Sequence, residues 1–436
     1  MVNGPADDGA VRRQARRGLF LVVIGVLSAG VGLAVARSGT AAVVPPPSLR
    51  SQAVAAPSQQ ASGIGLGPAI GPSASPAARF GATLNAPPAA ASPTSSELSA
   101  ISCASGDDCV AVGNDFVASA SSTTAELWNG SDWSLIPSEG NLADEMLTGV
   151  SCSSLSACTA VGSAASGGTG LANLIEEWNG ATWTIEPSPS QGTLEAVSCP
   201  SAAYCAAVGL ASSPSGDAVI DSDVSGSSWQ AVASPHVGAA GEDDSLTSVS
   251  CVTDDFCVAV GSYGDHGTTS QTLVESWNGS SWQVMGSADA GGASDSNALN
   301  SVSCLSRTDC VAVGSYDAGG AARTLVESYD GTSWSLVSSP DAGGPAGGNT
   351  LNSVSCNLAD ACTAVGDLSI GDGPAQTLVE FWDGTSWSLL PSLNYGTSGD
   401  ANVLNAVSCV WPGICTAVGA YGSGIPQESM SLVETP

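Results

Sequence analysis

The fourteen cysteines are the residues of this 436-residue chain whose type and spacing point most directly to chemistry. All fall into Cys-x5-Cys pairs: Cys103/Cys109, Cys152/Cys158, Cys199/Cys205, Cys251/Cys257, Cys304/Cys310, Cys356/Cys362 and Cys409/Cys415. Such pairs can be disulfides, reduced structural thiols or metal ligands. Structural zinc prefers Cys-x2-4-Cys with a second pair or a histidine nearby, and no such arrangement occurs, so no metal site is expected. Two cysteines bracketing a short turn sit instead at the mouth of a hairpin, where cross-strand Cβ atoms are close enough to bridge. Seven disulfides are therefore expected, each restraining the unfolded chain by at most about 2.4 kcal/mol in the loop-entropy picture.

The other reactive groups are sparse. There are two histidines, His236 and His266, and no lysine. With every cysteine in a pair, neither histidine has a thiol to activate. No Gly-x-Ser-x-Gly elbow stands in a strand–turn–helix setting, although composition alone leaves a Ser-His-acid triad open. Only Arg307 and Arg323 follow residue 97, too few for several arginines to converge on a ligand carboxylate. The paired carboxylates Asp107/Asp108, Asp243/Asp244 and Asp254/Asp255 offer the clustered oxygens that Ca²⁺ takes, without EF-hand spacing. Acidic loops also simply keep an exported protein soluble. Ca²⁺ is the one cofactor these residues suggest.

Composition sets the partners. Nine Lys+Arg stand against 40 Asp+Glu, a formal charge of -31. Nucleic acid and anionic membrane surfaces need clustered cations and are excluded as partners. With 43% hydrophobic residues the chain can bury a large core.

That core must come from repeats. The pattern Leu-x-x-Val/Ile-Ser-Cys-x5-Cys-x-Ala-Val-Gly begins at Leu98, Leu147, Leu194, Leu246, Leu299, Leu351 and Leu404. Each copy reads as four short strands, a to d: Val-Ser-Cys ends a, Cys-x-Ala-Val-Gly is b, Thr-Leu-Val-Glu-x-Trp is c, and Ser-Trp-x-Leu/Val is d. Asn-Gly or Asp-Gly between c and d is expected to supply the positive φ angles of a tight hairpin. A four-stranded antiparallel unit recurring at about 50 residues is a propeller blade. The fold class is thus all-β, a seven-bladed β-propeller of four-stranded antiparallel blades over 78–436.

The run from Ala312 to Trp334 resembles the kelch repeat: Gly314 after strand b, Tyr329 at the end of strand c and Trp334 at the start of strand d. The resemblance covers about 98–436 and implies a bacterial, exported, kelch-like propeller. The chain has one glycine where kelch has two, and adds two cysteines per copy. The copper chemistry known among kelch-like oxidases needs a free cysteine, which is missing here. The last copy stops after strand c, at Ser431–Pro436. A propeller closes by borrowing a strand from its other end, and residues near 80–87 are expected to supply it.

The N-terminal part addresses a membrane. A basic tail (1–18) containing RRQARR precedes the uncharged run 19–36. This order puts the tail in the cytoplasm and the rest outside. The run reads as an apolar helix, either a transmembrane signal anchor or a cleaved signal peptide. The Pro/Ala/Ser-rich stretch 38–77 reads as a disordered linker, an extended spacer. The expected location is the cell membrane, single-pass with the propeller outside, or secreted after cleavage.

In an up-and-down blade the a–b and c–d turns share one end of the ring, and the b–c and d–a connections share the other. The second set is long, divergent and rich in Gly and Asp, and binding residues concentrate on such loops. The candidates are Tyr263, Asp265, His266, Tyr316, Asp317 and Arg323, against the alternative that these loops merely drift. The function expected is a non-catalytic binding or scaffold module, monomeric, for protein or glycan at the cell surface. The alternative is an extracellular carbohydrate-active enzyme, a lyase or glycoside hydrolase, using carboxylates in the central cleft.

Overall fold

The computed structural model describes residues 81–83 and 95–435 apart from short loop stretches, and all structural statements below concern those residues. The expected tail, apolar run 19–36 and linker 38–77 lie outside them. Among the described residues no helix is long and apolar enough to cross a membrane.

Every regular element is a β-strand, and the strands form four-stranded antiparallel sheets in meander order. In repeat 5 these are a (Asn297–Ser306), b (Asp309–Asp317), c (Ala322–Tyr329) and d (Trp334–Leu336). Strands a pack side by side in chain order, and the first, Ser95–Ser105, also packs against the last, Ala401–Trp411. The sheets therefore close into a β-propeller. Six blades are built from four consecutive strands each. The expectation of seven blades resolves into these six plus a composite sheet: Ala401–Trp411, Ile414–Ser423 and Glu428–Thr435, with Gly81–Thr83 as the fourth strand. Gly81 pairs with Thr435 and Thr83 with Val433.

The sequence pattern explains each blade. The repeat leucine is fully buried at every copy, from Leu98 to Leu404. Immediately after it strand a bulges, leaving one residue unpaired, as between Leu299 and Ser301. The bulge drives a carbonyl against strand b. A Cβ placed on Gly314 would lie 2.0 Å from the Ala298 carbonyl oxygen, and the same holds for Gly261 against Ser245. Only glycine fits there, which accounts for the Ala-Val-Gly ending of strand b. The c–d connection departs from the two-residue hairpin. Trp128 pairs with Trp133 across four residues, and of these only Gly130 has positive φ. Asn129 works through its side chain, its Oδ1 accepting from the backbone N–H of Ser131 and Asp132 at 3.0 Å each.

Neighbouring repeats are joined by three recurring hydrogen bonds. The serine of Val/Ile-Ser-Cys accepts the backbone N–H of the next repeat's first half-cystine: Cys152 donates to Ser102 Oγ and Cys199 to Ser151 Oγ, each at 3.0 Å. The circle ends with Cys103 donating to Ser408 Oγ at 3.0 Å. The bulge residue forms a second set, with Asn300, Asn352 and Asn405 donating to the carbonyls of Leu351, Leu404 and Leu98. The third set is acidic. Glu126, Glu176, Asp221, Glu275, Glu327 and Glu380 occupy one position of strand c, each at most 5% exposed. The serine five residues after the strand-d tryptophan of the preceding repeat donates to them: Ser138 to Glu176, Ser188 to Asp221, Ser234 to Glu275, Ser287 to Glu327 and Ser339 to Glu380. Burial pushes Glu126, Glu275, Glu327 and Glu380 up to about 7.

All seven Cys-x5-Cys pairs are disulfides within one hairpin: Cys103–Cys109, Cys152–Cys158, Cys199–Cys205, Cys251–Cys257, Cys304–Cys310, Cys356–Cys362 and Cys409–Cys415, with Cα atoms 3.9–4.2 Å apart. Both half-cystines sit at the hairpin mouth as expected, directly paired across the strands as in Cys304 with Cys310, but the two are not equally buried. The first half-cystine of each pair, on strand a, is only half-buried. The second, on strand b, is a core residue: Cys109, Cys158, Cys257, Cys310, Cys362 and Cys415 are at most 3% exposed. Cys205 is half-buried and packs on the core formed by Leu194, Val197 and Trp229. The reason is the period of strand b. Cys158 and Ala160, two residues apart, face the same way, and both pack with Val110 and Val112 of the preceding repeat. Digestion of the unreduced protein is expected to yield linked peptides only between partners of one repeat, and reduction to add fourteen hydrogens to the intact mass. A bridge between repeats would contradict this register.

Candidate functional site

At the loop-rich end, strand c of repeat 4 meets strands a, b and c of repeat 5. They leave an open cavity of about 190 Å³ between them. Ser270 contributes from the start of strand c of repeat 4 (Thr269–Trp277). Ser296, Asn297 and Ala298 come from the entry to strand a of repeat 5, and Ser315, Tyr316 and Asp317 from the end of its strand b. The wall combines hydroxyls, one phenol, one amide and one carboxylate with Ala298 and Ala322, its exposed surface is mainly apolar, and among the described residues no cation lines it. Such a surface exchanges hydrogen bonds with a neutral polar ligand, and the phenol ring offers a stacking face.

The backbone holds these groups firmly. Tyr316 pairs with Asn297 on one side and Arg323 on the other. Asp317 N–H donates to the Ser296 carbonyl at 2.8 Å, and Asp317 Oδ1 accepts the Gly320 N–H at 2.6 Å. Asn297 is fully buried; its Oδ1 accepts the Ala290 N–H at 2.9 Å and its Nδ2 donates to the Asp295 carbonyl at 2.9 Å, stapling the d–a loop.

Two of the six sequence candidates, Tyr316 and Asp317, meet in this cavity. Arg323 stands beside it but is turned into the next loop. Its side chain is 13% exposed, its Nη1 donates to the Gly344 carbonyl at 2.7 Å, and Asp341 Oδ2 lies 4.0 Å away. Tyr263 holds the Tyr316 position in repeat 4, paired with Asp244 and Gln271 and packed on the core. The side chain of Asp265, and all of His266, lie outside the described residues. No half-cystine lines the cavity, and among the described residues no cysteine is free, so the sulfurs serve the frame. Sequence reading missed the serines. Ser270, Ser296 and Ser315 carry no motif; the a–b hairpin of repeat 5 brings Ser296 and Ser315 together, and the packing of repeat 4 adds Ser270.

The second histidine has a defined role. Repeats 5 to 7 carry Asn297, Asn349 and Asn402 two residues before the repeat leucine, each accepting an N–H from the d–a loop. Repeat 4 has Asp244 there instead, accepting the Val237 N–H at 2.7 Å. His236 Nδ1 completes the latch, 2.8 Å from Asp244 Oδ2 and 3.4 Å from Asp217 Oδ1. Burial raises the Asp244 carboxyl, opposed by the bonds from Val237 and His236.

The acidic pairs serve turns. Asp108 accepts from Ser105 Oγ and Asp254 from Ser201 Oγ, while Asp255 pairs with Arg307, which also lies over the Phe256 ring at 5.5 Å. Among the described residues no group of three or more His, Cys, Asp or Glu side chains could hold a metal ion. The strand-c carboxylates with raised pKa lie between blades, away from this cavity's lining.

No protein-family model matches the chain, and no curated protein matches it. Solved structures do resemble it. One is YCF48 bound to D1 peptide, at 11% identity and TM-score 0.49, covering 82% of this chain and 96% of that one. Another is Chaetomium thermophilum Sqt1 bound to the N-terminus of ribosomal protein L10, at 13% identity and TM-score 0.44, covering 76% and 85%. A third is the six-bladed fucose-recognising lectin of Aleuria aurantia, at 16% identity and TM-score 0.40, covering 68% and 96%.

Proposed function

We propose that this chain is a non-catalytic binding module, a kelch-like ring held outside a membrane by residues 19–36 and spaced from it by the linker 38–77. The RRQARR tail followed by an uncharged run supports the topology. Disulfides in each repeat suit an oxidising location. The observation that carries the binding reading is the cavity around Tyr316 and Asp317, where serine hydroxyls and apolar surface meet. Rigid strands present polar groups there on a loop-bearing rim, and a lining without a cation among the described residues, with a phenol beside apolar surface, supports a neutral saccharide. Arg323 acts by positioning the 341–344 loop.

The test is a glycan-array screen of the purified protein, followed by titration of any hit. Tyr316→Ala with Asp317→Ala is expected to weaken binding by about tenfold or more, with the fold retained and the melting temperature lowered by a few degrees for the lost packing of Tyr316 on the repeat-5 core. Arg307→Ala, at the opposite end of the ring, should leave binding intact. Equal losses from both ends, or none from the double variant, would refute the assignment of this site.

A further inference from the structure

The opposite end of the ring, where the disulfide-closed a–b turns emerge, carries a second feature. The residue just before this turn is Ser or Thr in repeats 1 to 5. In repeats 6 and 7 it is Leu358 and Trp411, 49% and 67% exposed. Ile414, paired with Trp411 across its turn, is 46% exposed. Repeats 6 and 7 are neighbours, so these side chains stand on adjacent turns. The ridge continues toward repeat 1, where the facing turn residue is Gly106. A Cβ there would lie 3.4 Å from Ile414 Cγ2 and 3.9 Å from Val410 Cγ2. The large exposed apolar side chains of the a–b turns fall together on repeats 6 and 7, and such a cluster marks an interaction surface.

Its surroundings specify the partner. The turn of repeat 6 carries exposed Asp360, and the turn of repeat 1 carries exposed Asp107 beside Asp108. Asp309 stands on the turn of repeat 5. The one arginine on these turns, Arg307, is bonded to Asp255 of repeat 4. An apolar centre with an acidic rim complements a segment that presents leucine-like or aromatic side chains flanked by arginine or lysine. The propeller of a second copy, with only Arg307 and Arg323 after residue 97, does not supply those cations. An anionic membrane surface is repelled by the same rim.

We infer that the a–b turns of repeats 6, 7 and 1 form a docking surface for a basic, apolar-centred peptide segment of a partner protein, anchored on Leu358, Trp411 and Ile414. This surface is independent of the cavity near Tyr316. Basic residues of the partner lie against Asp107 and Asp360, and a cation over the Trp411 indole adds to the attraction.

The full chain is titrated into a short dye-labelled peptide in which arginines alternate with leucines, read by fluorescence anisotropy. Saturable binding that weakens with added salt is expected. Leu358→Ser with Trp411→Ser installs residue types that the other repeats already tolerate, so the melting temperature should hold. That double variant should weaken binding by about tenfold or more. No binding of the basic peptide overturns the inference. So does equal binding by the double variant, or equal binding of a peptide with glutamate in place of arginine. Phosphatidylcholine vesicles and light scattering are run alongside. Trp411-dependent vesicle binding or self-association without peptide binding would assign the ridge to a lipid surface or to a second copy, and overturn the inference equally.

Discussion

The protein is expected to be most stable near pH 4.5–5 and to lose stability steadily as the pH rises to 8. The cause is the set of strand-c carboxyls buried between blades. Glu126, Glu275, Glu327 and Glu380 titrate at about 7 in the folded protein against an ordinary 4.5. Between those values the folded state holds protons that the unfolded chain has released, so stability falls with rising pH. The contribution is fully present below pH 4.5 and lost through pH 7. Each group accounts for on the order of 3 kcal/mol. Below pH 4 the sign reverses. Asp330, held down to about 2 by the Thr332 hydroxyl and the Ser333 and Thr332 N–H groups, and Asp383, lowered in the same way, then lose their bonds.

A matched pair of substitutions isolates the effect. Glu275 Oε2 and Glu380 Oε1 are buried without a hydrogen-bond partner, while Ser234 and Ser339 donate to the other oxygen of each. A glutamine amide reproduces the protonated acid at both places. Glu275→Gln with Glu380→Gln should match the parent near pH 4.5 and melt several degrees higher at pH 8. Thermal melts across pH 4–8 decide the matter; an unchanged slope in the double variant would remove these carboxyls as its cause.

The second large effect concerns ring closure. Gly81–Thr83 supplies the fourth strand of the sheet that joins the two ends of the propeller. Its removal uncovers the edge of Glu428–Thr435, and unpaired edges invite pairing with other chains. Deleting residues 78–90 is therefore expected to lower the melting temperature by about 5 °C or more and to produce concentration-dependent association. An unchanged melt with a monodisperse product would mean that the strand contributes nothing to the ring.

Much of this molecule is local in sequence and was therefore legible there. The Leu-to-Gly motif, the alternation of strand c and the pairing of Cys304 with Cys310 all involve residues within one hairpin or one strand. Period 2 and cross-strand distance suffice to read them. The borrowed strand was also legible, because a copy ending at strand c leaves one sheet visibly short. The c–d turn was legible only in part, since its glycine was evident but the capping role of Asn129 depends on a four-residue loop.

What tertiary structure alone decided are the contacts between repeats. The partners of each disulfide are local, but the burial of Cys109, Cys158, Cys257, Cys362 and Cys415 comes from packing between repeats, as does the half-burial of Cys205. Glu327 looks like a solvent-facing residue of an alternating strand, yet it is fully buried because Ser287, forty residues earlier, reaches it from the preceding blade. Arg323 reads as an open cation on a variable loop, and the 341–344 loop covers it. The cavity near Tyr316 and the ridge at Trp411 likewise combine residues of different copies. The physical reason is the same in each case. A repeat sequence specifies its blade through local pairing, whereas burial and charge at the blade margins depend on which neighbour the ring sets against them.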